Sequence, residues 1–111
     1  MRAGDIFHVD FGDPVGSEPG FVRPALIVTS NLILDRNPRT VHVIPITSNI
    51  RRALPSEVLL DAAELPRTST AQVHLCTVVS PRRFASAVQG NVGPATLAQV
   101  RSILADLLDI P

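Results

Sequence analysis

The sequence predicts a mainly β domain with some α structure: a small, strongly curved sheet or open barrel capped by a C-terminal helix. Three features carry that expectation. Ten prolines and six glycines are scattered along the chain and cut it into short segments, as in a compact β-rich fold. The opening segment alternates apolar and polar residues, the period of a half-buried strand. Helical periodicity is clear only near the end of the chain.

The elements follow in order. Residues 5–11 set Phe7, Val9 and Phe11 on one side and Ile6, His8 and Asp10 on the other, which is a strand. Residues 12–22 (GDPVGSEPGFV) are too rich in glycine and proline for regular structure and form a loop. Arg23-Pro24 then opens the apolar run 25–28, a buried strand. Residues 31–39 read as a turn or short helix, and 40–47 (TVHVIPIT) as a third strand. Pro45 has no N–H to donate and signals an edge or a bulge there. Residues 48–55 form a loop carrying Arg51 and Arg52, residues 57–60 a short strand, and 69–79 a longer one. Residues 81–84 (PRRF) turn the chain and 85–89 make a last short strand. Gly93 precedes Pro94, a residue suited to the first helical position. Leu97, Val100, Ile103, Leu104, Leu107 and Leu108 then recur on one helical face.

At 111 residues the chain fits a single domain, 1–111, with one core. Its 45% hydrophobic and 18% charged content excludes a disordered tail protein. No run approaches the ~18 apolar residues of a membrane-spanning helix, so no membrane association is expected. The opening Met1-Arg2-Ala3-Gly4-Asp5 offers no apolar stretch for a signal peptide. Cys76 is the only cysteine, which excludes an internal disulfide and fits a reducing, cytoplasmic setting; it reads as a small buried hydrophobe.

Net charge is zero, without the broad basic footprint of many nucleic-acid binders. Yet all ten basic residues are arginine, whose planar fork grips phosphate oxygens in pairs and stacks on bases. Codon usage in a GC-rich genome is the favoured account of that bias, but a neutral chain can still own a local basic groove. His8, His42 and His74 lie in separate predicted strands without ligand spacing, so no metal and no cofactor is expected.

Two loops are candidates for chemistry. One is residues 16–24, Gly16-Ser17-Glu18-Pro19-Gly20-Phe21-Val22-Arg23-Pro24, long for a hairpin connection. The other is Pro45-Ile46-Thr47-Ser48-Asn49, where three short polar side chains leave an apolar strand. Arg23 and Thr47 come together only if the sheet pairs their strands in the right register. By composition alone each has a plainer reading: Arg23 as a surface ion-pair partner, Thr47 as a strand residue, Glu18 as a solvated loop residue.

These motifs resemble those of the MazF/PemK toxins. Gly4-Asp5-Ile6-Phe7-His8-Val9-Asp10-Phe11 is similar to the family's first strand, and Gly16-Ser17-Glu18 with Arg23-Pro24 to its "GSE…RP" loop. Thr40-Val41 followed by Pro45-Ile46-Thr47-Ser48 is similar to its "TV…PITS" strand, and Leu65-Pro66-Arg67 then Ser69 resembles the start of the next. The resemblance spans nearly the whole chain. It implies an SH3-like (PemK/CcdB-type) barrel that works as a homodimer, cleaves single-stranded RNA at a short sequence motif and is silenced by a cognate antitoxin protein. It assigns catalysis to Arg23 and Thr47, with Glu18 also implicated. Gly16, Ser17, Pro24, Ser48, Asn49, Arg51, Arg52, Arg82 and Arg83 are candidate substrate-binding residues, the last two as a phosphate clamp or as solvated turn residues. His8 stands where the family commonly has tryptophan. His74 falls where many members carry glutamine, and a catalytic assist from it is an open reading.

The residue types suit the chemistry. RNA carries its own nucleophile, the 2′-hydroxyl, so no metal is required. Arg23 can neutralise a pentacoordinate phosphate. Thr47 can hold it for in-line attack, and Glu18 can serve as base or orient Arg23. An arginine, with a pKa above ~12, is a poor general acid. The products would be a 2′,3′-cyclic phosphate and a 5′-hydroxyl. Two other readings stand beside this one. A CcdB-like gyrase inhibitor would share the fold without cutting RNA, but such proteins end in an aromatic tail and lack the "RP" and "PITS" pair. An SH3-like adaptor needs an aromatic groove, and this chain has neither tryptophan nor tyrosine.

Overall fold

The alternation of the first segment becomes strand β1 (Asp5–Asp10) of a seven-stranded antiparallel sheet in a computed structural model that describes residues 1–50, 54–60 and 65–111. The elements that follow are β2 (Val22–Ile27), the short helix α1 (Asn31–Leu34), β3 (Val41–Thr47), β4 (Glu57–Leu60), β5 (Ser69–Gln72), β6 (Thr77–Val79), β7 (Gly90–Asn91) and helix α2 (Gly93–Leu107). The sheet order is β4-β5-β3-β2-β1-β7, with β6 also paired to β3. The sheet curls into a half-barrel closed by α2, as the sequence predicts. Arg51 and Arg52 lie outside the described residues.

Both faces of the sheet are apolar, so the core is double. Ile6, Leu26, Ile44, Val58 and Val73 pack with Leu97 and Val100 of α2 on one side. Phe7, Val9, Ile27, Leu34 and Val43 form the other cluster, where Phe7 stacks on Phe84 with ring centroids 4.5 Å apart. The predicted division of Ile6 from Phe7 and Val9 is therefore correct. Arg101 ties α2 to the sheet: its Nε and Nη2 both donate to the Val28 carbonyl, at 3.2 and 2.8 Å. The predicted apolar stripe of α2 runs out at its last turn, where Leu107 and Leu108 are exposed. No helix among the described residues is long and apolar enough to cross a membrane.

Three segments differ from the sequence expectation. The strand predicted over 69–79 is two strands, β5 and β6, separated by a 3-10 turn at Val73–Leu75. Both pair with β3: between the pairs Ile46↔Ala71 and Val43↔Thr77, β3 advances three residues while its partner advances six. The excess is a bulge. Pro45 sits opposite it, and strand alternation points its ring nitrogen toward the bulged partner, where no ladder bond is lost. The proline signal was a bulge in the facing strand, not a sheet edge. The strand expected at 85–89 runs beside β1 through Ala85 N–H to His8 O and Gln89 N–H to Ile6 O. Regular pairing comes only at β7.

The third segment is the β1–β2 connection, shifted one residue toward the N-terminus, because β1 ends at Asp10 and Val22 already pairs with it. It is closed by Phe11 N–H to Phe21 O at 2.9 Å and Phe21 N–H to Gly12 O at 2.7 Å. Phe21 pays for this closure with a left-handed backbone, φ 59°, a conformation costly to a bulky residue. Gly20 is required by close approach, since a Cβ there would lie 2.5 Å from the Pro14 ring.

Arg101→Ala is expected to lower stability by about 1–3 kcal/mol, because it strands a partly buried carbonyl; a denaturant midpoint unchanged at constant slope would contradict that role. Burial raises the pKa of the half-buried Cys76 thiol, leaving less thiolate at a given pH. Its reaction with a thiol reagent at neutral pH is therefore expected to be slow in the native protein and to accelerate in denaturant. Equal rates in both states would show the thiol to be open.

Candidate functional site

The site arises where the β2–β3 ladder stops. Its register pairs Ile27↔Val43, Leu26↔Ile44 and Ala25↔Pro45. Val28 donates its N–H to His42 O, so by alternation residue 24 also presents its backbone to β3. Residue 24 is proline and has no N–H to give. The strands part there. One residue further along each strand the same register sets Arg23 opposite Thr47, the juxtaposition the sequence left open.

Between them lies an open cleft of about 420 Å³, bordered by Arg23, Thr47, Ser48 and Arg67 and walled by Pro24, Ile46, Leu65 and Pro66. The Nε of Arg23 is buried and has no hydrogen-bond partner, an expensive state for a charged donor. Arg67 reaches the cleft from the turn ahead of β5, which is held by the Ser69 hydroxyl donating to the Arg67 carbonyl at 3.0 Å. Among the described residues no carboxylate lines this cleft. Among the described residues, two guanidinium groups line it without a counter-charge, an arrangement suited to an anion.

Thr47 ends β3 and caps the turn after it, its Oγ1 accepting from Asn49 N–H at 3.1 Å. Because the oxygen is the acceptor there, the hydroxyl hydrogen stays free to be donated. Thr47 also borders a second hollow of about 300 Å³ with Ser17, Asn49, Glu57, Gln72 and His74. Here Glu57 Oε2 accepts from the Thr70 hydroxyl at 2.9 Å. His74 Nδ1 is bonded to the Ser56 hydroxyl at 3.0 Å, and the buried Gln72 Oε1 has no partner.

Of the residues singled out from sequence, Arg23, Pro24, Thr47 and Ser48 share the first cleft, and Ser17 and Asn49 join Thr47 in the second. Glu18 is not with them. Its Oε1 accepts from Val15 N–H at 2.9 Å, and it lines a smaller hollow with Phe11, Thr77 and Arg83. Arg83 there donates to the Asp10 carbonyl at 3.3 Å, while Arg82 lines a depression with Arg39. Gly16 is exposed at the loop tip, with open space around its α-carbon. Arg67, Glu57 and Gln72 were missed as site residues. For Arg67 a signal existed, an arginine after Leu65-Pro66 ahead of a strand. Nothing local marked Glu57 or Gln72, which meet only through β4–β5 pairing. Among the described residues, no three His, Cys, Asp or Glu side chains cluster as metal ligands.

Comparison with known proteins fits this geometry. The sequence profile of a family described as "PemK-like, MazF-like toxin of type II toxin-antitoxin system" matches residues 2–108. A Mycobacterium tuberculosis protein named Endoribonuclease MazF9 is 34% identical over 116 residues, covering 99% of this chain and 98% of the relative. The crystal structure of MazF from Deinococcus radiodurans superposes with a TM-score of 0.84 at 26% identity, covering 99% of this chain and 97% of that one. A mycobacterial endoribonuclease solved in complex with its cognate antitoxin has the same fold, with a TM-score of 0.79 at 23% identity over 100% of this chain and 97% of that one.

Proposed function

The chain belongs to the PemK-like, MazF-like toxin family of type II toxin–antitoxin systems, and from that premise we propose that it is an endoribonuclease toxin cutting single-stranded RNA at a short sequence motif. The observation that carries the reading is the cleft itself: Arg23, Thr47 and Arg67 line it together, and the Arg23 Nε is buried and unpartnered.

The reaction is a transesterification. The ribose 2′-oxygen attacks the adjacent phosphorus, the bond from phosphorus to the 5′-oxygen breaks, and a 2′,3′-cyclic phosphate and a 5′-hydroxyl result. The nucleophile is part of the substrate, so no metal-activated water is needed. Arg23 donates to the non-bridging oxygens as their charge grows, the kind of stabilisation that often dominates catalysis. Its desolvated Nε is a donor already in place. Thr47 gives its free hydroxyl hydrogen to a phosphate oxygen and holds the group for in-line attack. Arg67 and Ser48 position the backbone and carry no sequence choice.

One proton must leave the 2′-hydroxyl and another must reach the departing 5′-oxygen. Histidine is the side chain suited to that exchange near neutral pH, and His74 lines the hollow that shares Thr47 with the cleft. We assign the proton acceptor to His74, and water in the open cleft supplies the proton to the departing 5′-oxygen. The Glu18 carboxylate is committed to the Val15 amide and braces the loop that presents Ser17. The reading includes a homodimer, a cytoplasmic location and a cognate antitoxin, all carried by the family. An acidic antitoxin segment that folds on binding would find the same arginines that take phosphate.

Purified protein is expected to cut a long mixed-sequence RNA in excess EDTA at a recurring motif, leaving 5′-hydroxyl ends. Arg23→Ala is expected to slow the cut by about 10²–10³-fold, and Thr47→Ala to lose activity while folded. Arg67→Ala is expected to raise KM and to reduce the salt dependence of binding by about one ion's worth. A folded wild type that leaves messenger, transfer and ribosomal RNA intact would point to the gyrase-binding or adaptor readings. For His74, the alanine variant is expected to slow the cut by about 10²–10⁴-fold while folded. A rate left unchanged would remove His74 from the proton transfer.

A further inference from the structure

We infer that the second hollow beside Thr47 is a base-reading subsite, and that it selects a nucleobase with an amino group on its pairing edge (adenine, cytosine or guanine) against uracil. The inference rests on the endoribonuclease reading, since it takes the cleft on the other side of Thr47 to hold the scissile phosphate. It adds a claim about which nucleotide lies next to the cut.

Three observations carry it. Thr47 borders both hollows, so a nucleotide whose phosphate meets the Thr47 hydroxyl has its base within reach of the second. That hollow, about 300 Å³, is at the small end of ligand sites, with room for one base. Two of its polar side chains, Glu57 and Gln72, present acceptors. Glu57 and Gln72 are directly opposite one another in the β4–β5 register, which puts their Cβ atoms about 4.5–5.5 Å apart. The Glu57 carboxylate can only accept, and the Thr70 hydroxyl fixes it in place. Gln72 Oε1 is buried and accepts from nothing. A buried acceptor without a donor is costly, and an arriving N–H group removes that cost.

Adenine, cytosine and guanine each bring an exocyclic amino group to the edge by which single-stranded RNA is read. Uracil brings one N–H flanked by two carbonyl oxygens, and those oxygens would face the oxygens of Glu57 and Gln72. Sites built to hydrogen-bond a donor reject analogues lacking it far more strongly than apolar pockets reject a change of size. Ser17, from the β1–β2 loop, lines the same hollow and closes over the base from that side.

The test is sequencing of cleavage ends from a randomised RNA, with wild type, Gln72→Leu and Glu57→Gln, each checked for a native thermal transition. Glu57→Gln keeps an acceptor for Thr70 and so guards against loss of fold. The expected result is that wild type disfavours uracil at one position adjoining the cut by roughly tenfold or more, and that both variants relax that preference at the same position. Wild-type cutting with uracil preferred or tolerated at both adjoining positions would overturn the subsite and leave the enzyme standing. So would a preference that survives in both variants. No cutting by folded wild type would remove the enzyme and the subsite together.

Discussion

A missing hydrogen bond organises this protein. β2 and β3 pair from Ile27↔Val43 to Ala25↔Pro45, and the next β2 residue whose backbone faces β3 is Pro24. With no N–H there, the ladder cannot continue, and beyond it Arg23 and Thr47 line one cleft. A strand pair that stayed zipped would bury this position among backbone bonds. One that lost register would separate the two side chains. The proline does neither: it opens the sheet at the point where a cation and a hydroxyl converge.

The same economy appears on the other side of β3. Pro45 would interrupt a regular ladder, so β5 and β6 bulge away at Val73–Leu75 and spare that loss. The bulge turns His74 outward to the Ser56 hydroxyl, beside Gln72 and Glu57. β3 thus ends on Thr47 between a cleft of guanidinium groups and a hollow of acceptors. The first suits an anion of any sequence; the second suits a donor of particular kinds. Each holds an unpaired polar atom, Arg23 Nε in one and Gln72 Oε1 in the other, which the proposed reading fills with phosphate and base. Such local cost is what functional sites characteristically retain.

Much of this was legible in the sequence because period and punctuation are local. The face-splitting of β1, the glycine- and proline-rich loop and the apolar face at Leu97 and Val100 follow from spacing alone, and Pro45 signalled an edge or a bulge. Other features depended on long-range pairing. No local pattern says that 69–79 must break, because the break answers Pro45 some thirty residues away. Glu57 and Gln72 are ordinary strand residues until β4 and β5 align them. Leu107 and Leu108 obey the helical period, but the sheet ends before it can cover them. Glu18, prominent in its motif, spends its carboxylate on Val15, a contact set by loop geometry rather than by residue type.

The measurement that bears most directly on the account is a crystal structure with an RNA carrying a 2′-deoxy sugar at the cleavage position, which binds but cannot react. The account predicts the scissile phosphate between Arg23 and Thr47, with Arg23 Nε and the Thr47 hydroxyl each about 3 Å from its oxygens. A phosphate seated instead against Arg82 and Arg83, with the Arg23–Thr47 cleft empty, would contradict it.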